Sequence, residues 1–161
     1  MTVGEVAGRR MTVEIEGDFV VFLIGARFNN KLRFARSLVD LGGRRGMKHM
    51  LDYLVARPEK GLLAYEMGLP TIVQYWRSFE QLEAFAKDKD DPHLDVWRQY
   101  WRRVGKGSRT GIWHETYLVP AGQYEAVYGN MPAHGLGKAG TLVPVSESSS
   151  ARARIGALSN A

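Results

Sequence analysis

Leu62-Leu63-Ala64-Tyr65-Glu66-Met67, then Gly68-Leu69-Pro70, then Thr71-Ile72-Val73-Gln74-Tyr75-Trp76: two short, mostly apolar runs flank three turn-forming residues. That pattern reads as a β-hairpin. Working outward, Met47, Met50, Leu51 and Leu54 fall at i, i+3, i+4, i+7, which predicts a helix from about Arg44 to Ala56, ended by Pro58 and Gly61. On the other side, Ser78 and Gln81 form a capping box opening a helix that buries Phe79, Leu82, Phe85 and Ala86. Asp91 as N-cap and Pro92 at the first helical position start a second helical piece, whose face carries His93, Trp97, Tyr100 and Trp101. The outermost segments are strands: Met11–Asn30, with a near-continuous apolar run from Asp18 to Phe28, and Thr110–Val119 followed by Gln123–Tyr128. Leu32 to Leu41 is an amphipathic stretch of ambiguous period, closed by Gly42–Gly43.

The hairpin is thus the middle of a β-α-β-β-α-β order, the ferredoxin-like α+β sandwich. Helices cover one face of such a sheet and leave the other open. Here the open face is expected to carry Tyr65, Trp76, Trp113, Tyr117, Tyr124 and Tyr128, too many aromatics for water. A second copy of the same sheet is the simplest cover, making a homodimer of the dimeric α/β-barrel kind. Residues 1–130 form the domain. Residues 131–161, rich in Gly, Pro, Ala and Ser, read as an extended C-terminal tail wrapping the same or a neighbouring subunit.

At 161 residues, with 45% apolar and 24% charged residues, the chain has the composition of one globular domain with a real core. It holds no cysteine, which excludes disulfides, thiolate metal sites, iron–sulfur clusters and a Cys nucleophile. Residues 1–10 lack the apolar stretch of a signal peptide and the run from Phe19 to Ala26 is too short to span a bilayer, so the expectation is a soluble, cytoplasmic protein without a membrane partner. The net charge of +5 is scattered, and no helix-turn-helix, zinc-finger or RNA-recognition signature accompanies it. No nucleic-acid partner is expected.

There is no phosphate-binding glycine loop, no H-E-x-x-H pair and no G-x-S-x-G elbow. Attention falls on the four histidines, His49, His93, His114 and His134. In Gly111-Ile112-Trp113-His114-Glu115-Thr116-Tyr117, strand alternation sends His114 and Glu115 to opposite faces, so they are not one dyad. His114 is either a satisfied core histidine or a pocket residue. His93, at a helix start one turn before Trp97, has a lowered tendency to protonate because the helix dipole disfavours the cation. That suits a ligand or a proton acceptor near neutral pH; the bland alternative is a first-turn histidine packing on Trp97. His49 lies off the apolar stripe, and His134 sits in a loop able to reach a pocket mouth. Gln74 and Trp76 share a strand face, and a buried amide beside an indole needs partners. Polar atoms among aromatics are what a small-molecule pocket requires.

Gln74-Tyr75-Trp76-Arg77-Ser78, Asp91-Pro92-His93-Leu94-Asp95-Val96-Trp97, the Gly111–Tyr117 strand, Tyr124-Glu125-Ala126-Val127-Tyr128-Gly129-Asn130-Met131-Pro132 and the following Gly135-Leu136-Gly137 together resemble a monooxygenase-like family of unknown function, whose fungal members include a fumagillin-pathway monooxygenase. The resemblance runs from about Phe19 to Ile155 and implies the dimeric α/β-barrel superfamily. That superfamily includes cofactor-free antibiotic-biosynthesis monooxygenases, haem-degrading monooxygenases, aldoxime dehydratases and chlorite dismutases. Fold analogy alone does not choose among them.

Three functions follow. The first is a monooxygenase acting on a small phenolic or polyketide-like substrate, with no cofactor. His114 or His93 is then the catalytic base, and Trp76, Gln74, Trp97, Tyr117, Tyr124 and Asn130 hold the substrate. The second is a haem protein in which His93 matches, in position, the helix histidine that ligates haem in the haem-degrading relatives, with Trp76 and Asn29 or Asn30 as companions. The third is a non-catalytic dimer that binds a small hydrophobic molecule. No metal site is expected.

Overall fold

The computed structural model describes residues 8–30, 39, 41, 46–68, 70–104, 110–145 and 150–158. Most of the amphipathic stretch from Leu32 to Leu41, with its glycine stop, falls outside them. So does the Gly105–Gly107 segment after the second helical piece.

Two antiparallel sheets organise the chain. The larger contains β2 (Phe19–Phe28), β3 (Leu62–Met67), β4 (Thr71–Trp76) and β5 (Thr110–Val119), in the order β3-β4-β2-β5. That is the strand order of a ferredoxin-like α+β sandwich, with the hairpin at one edge and β5 at the other. Against one face lie α1 (Met47–Val55), α2 (Phe79–Lys87) and α3 (Pro92–Val104). The stripe on α1 buries Met50, Leu51 and Leu54, and α2 opens with the Ser78 Oγ accepting the Gln81 N–H at 3.2 Å. The Gln81 side chain leaves the expected reciprocal cap and donates to the Glu59 carbonyl instead.

Register fixes which side chains meet the helices. Phe22 pairs with Gln74 and Thr116, Ile24 with Ile72 and His114, and Ala26 with Ile112. These positions form the helix side, with Trp76 beneath them fully buried against Phe85. Leu23, Gly25, Val73, Trp113, Glu115 and Tyr117 form the other side. The expected gathering of all the aromatics on that outer side is corrected at two positions. Trp76 faces the helices, and a bulge at Leu63 shifts β3 by one residue, so Tyr65 pairs with Gln74 and packs into the helix-side core.

The smaller sheet is β1 (Met11–Glu14) with β6 (Thr141–Pro144). Gln123–Tyr128, expected as a strand, makes only a bridge from Tyr128 to Met11. The strand that β1 takes comes from further along the chain. The segment after residue 131 therefore carries a 3-10 turn (Gly135–Lys138), β6 and a helix α4 (Ala151–Leu158), and it folds back onto the rest of the chain. Arg154 of α4, nearly buried, is paired with Glu125.

Candidate functional site

The helix side of the sheet is not filled. Between β2, β4 and β5 beneath and α1, α2 and α3 above lies a cavity of about 750 Å³ with mostly apolar walls. Its size is that of a small-molecule site. A handful of polar groups interrupt the walls: Gln74, His93, His114 and Thr116, with Lys48 and Glu83. Lys48 is held by Asp52 one turn away on α1.

His93 is the most constrained of these. Its Nδ1 lies 3.1 Å from the Ala86 carbonyl at the end of α2. A carbonyl only accepts, so Nδ1 carries the proton and Nε2 is left with its lone pair. The ring is wedged against Phe85 at 5.7 Å and stacks within 12° of Trp97. Burial holds its pKa below the ordinary value, and the Ala86 carbonyl offsets this only in part. The direction is the one expected, but burial among aromatics rather than the helix dipole is its main cause.

The helix that carries His93 is anchored at its start. The Asp91 carboxylate is fully buried and accepts from Tyr53 of α1 and from Lys60 at 2.8 Å, while Lys60 also reaches Asp88 at 3.4 Å. A buried charge needs such pairing. These links tie α1, the turn after it and the start of α3 into one frame, two residues before His93. The motif Asp91-Pro92 is legible as a helix start, but its partners 31 and 38 residues upstream are not.

Gln74 and Trp76 form the floor. Gln74 is 4% exposed, and its Oε1 accepts the Trp76 indole N–H at 2.9 Å. His114 also faces the cavity, its ring 5.5 Å from Phe22, but it stands on the edge strand β5 and is exposed. It is thus not the core histidine that alternation left open. Trp97 lines the cavity and remains 39% exposed.

Tyr117, Tyr124 and Asn130 are not part of this cavity. Tyr117 points to the other side and donates to Glu115 at 2.6 Å, as strand alternation requires. Tyr124 packs edge-on against Phe19 under the tail and accepts the Ile15 N–H at 2.7 Å. Asn130 is exposed at φ 53 in the connection that follows. The single cluster expected from sequence is therefore split by the sheet. His134 belongs to the tail, 3.1 Å from Glu66, and His49 is solvated. Sequence periodicity missed the contribution of Phe85 and Ala86, since a helix's core face and its cavity face carry the same apolar signal. Among the described residues no cluster of His, Asp and Glu is arranged to hold a metal ion, and no helix is long and apolar enough to cross a membrane.

The opposite face divides into two halves. One lies under the tail, where Phe19, Tyr124 and Tyr128 pack with Met11 and Val13. Gly137 lets the tail approach closely, since a Cβ there would sit 2.9 Å from the Tyr128 ring. Among the described residues nothing closes over the other half. Trp113 lies across Gly25, where a Cβ would come within 2.6 Å of the indole, and Trp113 and Tyr117 are 37% and 50% exposed.

Comparison with known proteins fits this architecture. A monooxygenase (af470) of Aspergillus fumigatus is 30% identical over 125 residues, covering 71% of this chain and 44% of its own length. In structure the chain resembles an aldoxime dehydratase crystallised with butyraldoxime, at a TM-score of 0.57 and 17% identity, over 85% of this chain and 42% of that one. The likeness to that enzyme establishes the fold, and the chain spans less than half the length of either relative. The profile of the Monooxygenase af470-like family matches residues 19–136, which include the whole four-stranded sheet and the three helices on it. The chain belongs to the Monooxygenase af470-like family.

Proposed function

We propose that the protein is a monooxygenase that takes a small, largely apolar organic molecule, phenolic or polyketide-like, into the cavity between sheet and helices. The observation that carries this reading is the combination of an apolar cavity of about 750 Å³ with one half-buried, neutral imidazole whose Nε2 is left as an acceptor. A cofactor-free route needs a base to take a proton from the substrate, so that the resulting electron-rich carbon reduces oxygen. His93 has the tautomer and depressed pKa for that role, and the apolar walls limit the water that competes. His114 is the second base, closer to solvent. The membership of a family named for a monooxygenase supports the same reading.

A haem-dependent version is favoured by one specific observation. A histidine that ligates a metal through Nε2 ordinarily gives its Nδ1 proton to a carbonyl, as His93 does to Ala86. The residues fit the group: His93 would hold it, with Trp97 and Phe85 fixing the ring and the apolar wall accepting the macrocycle. Bound haem would supply the oxygen-activating chemistry, while the chain orients the substrate and excludes water.

Oxygen uptake with a panel of phenols and aryl polyketides tests the main reading. Activity lost in His93→Ala and kept in Tyr117→Phe is expected; activity indifferent to His93 contradicts it. Titration with haemin separates the versions, because a Soret band that appears at one equivalent and is lost in His93→Ala requires the haem site. We also propose that a second copy of the chain covers the half of the outer face around Trp113 and Tyr117. Sedimentation at micromolar concentration should then give a dimer, and a monomer would contradict it.

A further inference from the structure

One donor in the cavity is buried without an adequate acceptor. Gln74 is 4% exposed, and the indole N–H of the fully buried Trp76 is the group 2.9 Å from its Oε1. An indole nitrogen is a donor only, so the atom facing it must be the amide oxygen. The amide nitrogen is thereby turned the other way, from the sheet toward α1. Among the described residues its N–H groups meet the Met47 Sδ at 3.8 Å, a weak acceptor. Gln74, Trp76 and Met47 all line the cavity. Buried amide N–H groups normally have a full partner, and leaving one unmade is costly.

We propose that Gln74 decides what the cavity accepts: an apolar molecule that presents a carbonyl or enolate oxygen to the Gln74 amide N–H. Trp76 is the positioning residue that locks the amide with its donors inward. The proposal rests on the cavity being the ligand site, but not on the oxygen chemistry. An alkyl group at the same place leaves the donor unpaired, whereas an oxygen there satisfies it. Discrimination therefore arises from the cost of the unmatched donor as much as from the gained bond. The same placement would hold a negative charge that develops on that oxygen when a neighbouring proton is removed.

The test uses a nearly isosteric pair, 2-acetylnaphthalene and 2-ethylnaphthalene, in equilibrium dialysis against the purified full chain. The wild type is expected to bind the ketone about tenfold more tightly, the effect of one hydrogen bond. Gln74→Met should bind both alike, with the affinity for 2-ethylnaphthalene retained. Trp76→Phe keeps a ring but frees the amide to turn, and the preference should fall to between these values. Circular dichroism confirms folding. If Gln74→Met does not fold, Gln74→Leu, which also removes both donors, must likewise lose the preference. Equal affinities in the wild type, a ketone preference that survives in Gln74→Met, or binding of neither compound would each overturn the proposal. Oxygen uptake is no part of the readout. A protein that prefers the ketone yet consumes no oxygen loses the monooxygenase reading and keeps this one.

Discussion

The two faces of one four-stranded sheet are built from similar residues and end in opposite states. On the outer side, the tail closes over Phe19, Tyr124 and Tyr128. Glu66 there accepts from the Gly135 N–H at 2.8 Å and Lys138 at 2.6 Å, and His134 stands beside it. On the helix side, Phe22, Ile24 and Ile72 look across about 750 Å³ at α1 and α3, with an underused amide and a lone imidazole nitrogen in the wall. Natural cores are packed close to crystal density, so a gap of that size is not loose packing. The difference teaches where each face's side chains do their work. Both faces bury apolar side chains, but the tail closes over its cluster, whereas the helix side packs its core around a cavity, with Tyr53, Lys60 and Asp91 tying α1 to the start of α3.

If the tail closes a second core, a large effect should follow from breaking it there. Tyr128→Ala removes a 7%-exposed ring from the middle of that cluster and should cost about 3–5 kcal/mol in urea unfolding. A loss below about 1 kcal/mol would mean that the tail contributes little.

A smaller effect separates the faces by pH. Burial alone would raise the Glu66 pKa, but Lys138, the Gly135 N–H and His134 together lower it. The unfolded chain then takes the proton more readily than the folded one. The contribution of Glu66 is present in full above its ordinary value near 4.5 and is lost as the pH falls through the lower folded value. Glu66→Gln should cost about 1 kcal/mol at pH 7 and nothing in strong acid, where the wild type has lost the same interaction. A difference that is constant with pH would assign the effect to packing.

The smallest effect belongs to the cavity face and has a different window. His93 is also depressed in the folded protein, so stability should decline as the pH drops below the ordinary histidine value of 6.5, because the unfolded chain protonates first. The decline stops below the folded pKa. His93→Phe should remove this part of the pH dependence and leave the acid limb set by Glu66 intact. An unchanged curve between pH 6.5 and the Glu66 region would place His93 in water.

Much of the fold was legible because its signals are local. The hairpin at Gly68–Pro70, the stripe on α1 and the Ser78 cap each rest on residues a few positions apart. The bulge at Leu63 was not, since a one-residue shift leaves no mark in composition yet moves Tyr65 to the other face. β6 was hidden for a related reason. Thr141–Pro144 is four residues long and ends in proline, and it becomes a strand only because β1, 127 or more residues earlier, offers it an edge. The site was half legible. Alternation correctly separates His114 from Glu115 and puts Gln74 beside Trp76 on one face. It does not say that His114 stands at an exposed edge while His93 is wedged under Phe85, because that depends on strand order and on where α2 ends.

His93 is a neutral imidazole, protonated at Nδ1, with Nε2 available to a ligand. A two-bond proton–nitrogen correlation spectrum of the histidine rings at pH 7 reads this directly. The prediction is an Nδ1–H tautomer for His93, with an Nε2 resonance that moves when 2-acetylnaphthalene is added while those of His49 and His134 stay in place. An imidazolium at pH 7, the opposite tautomer, or an Nε2 signal indifferent to the ligand would contradict it.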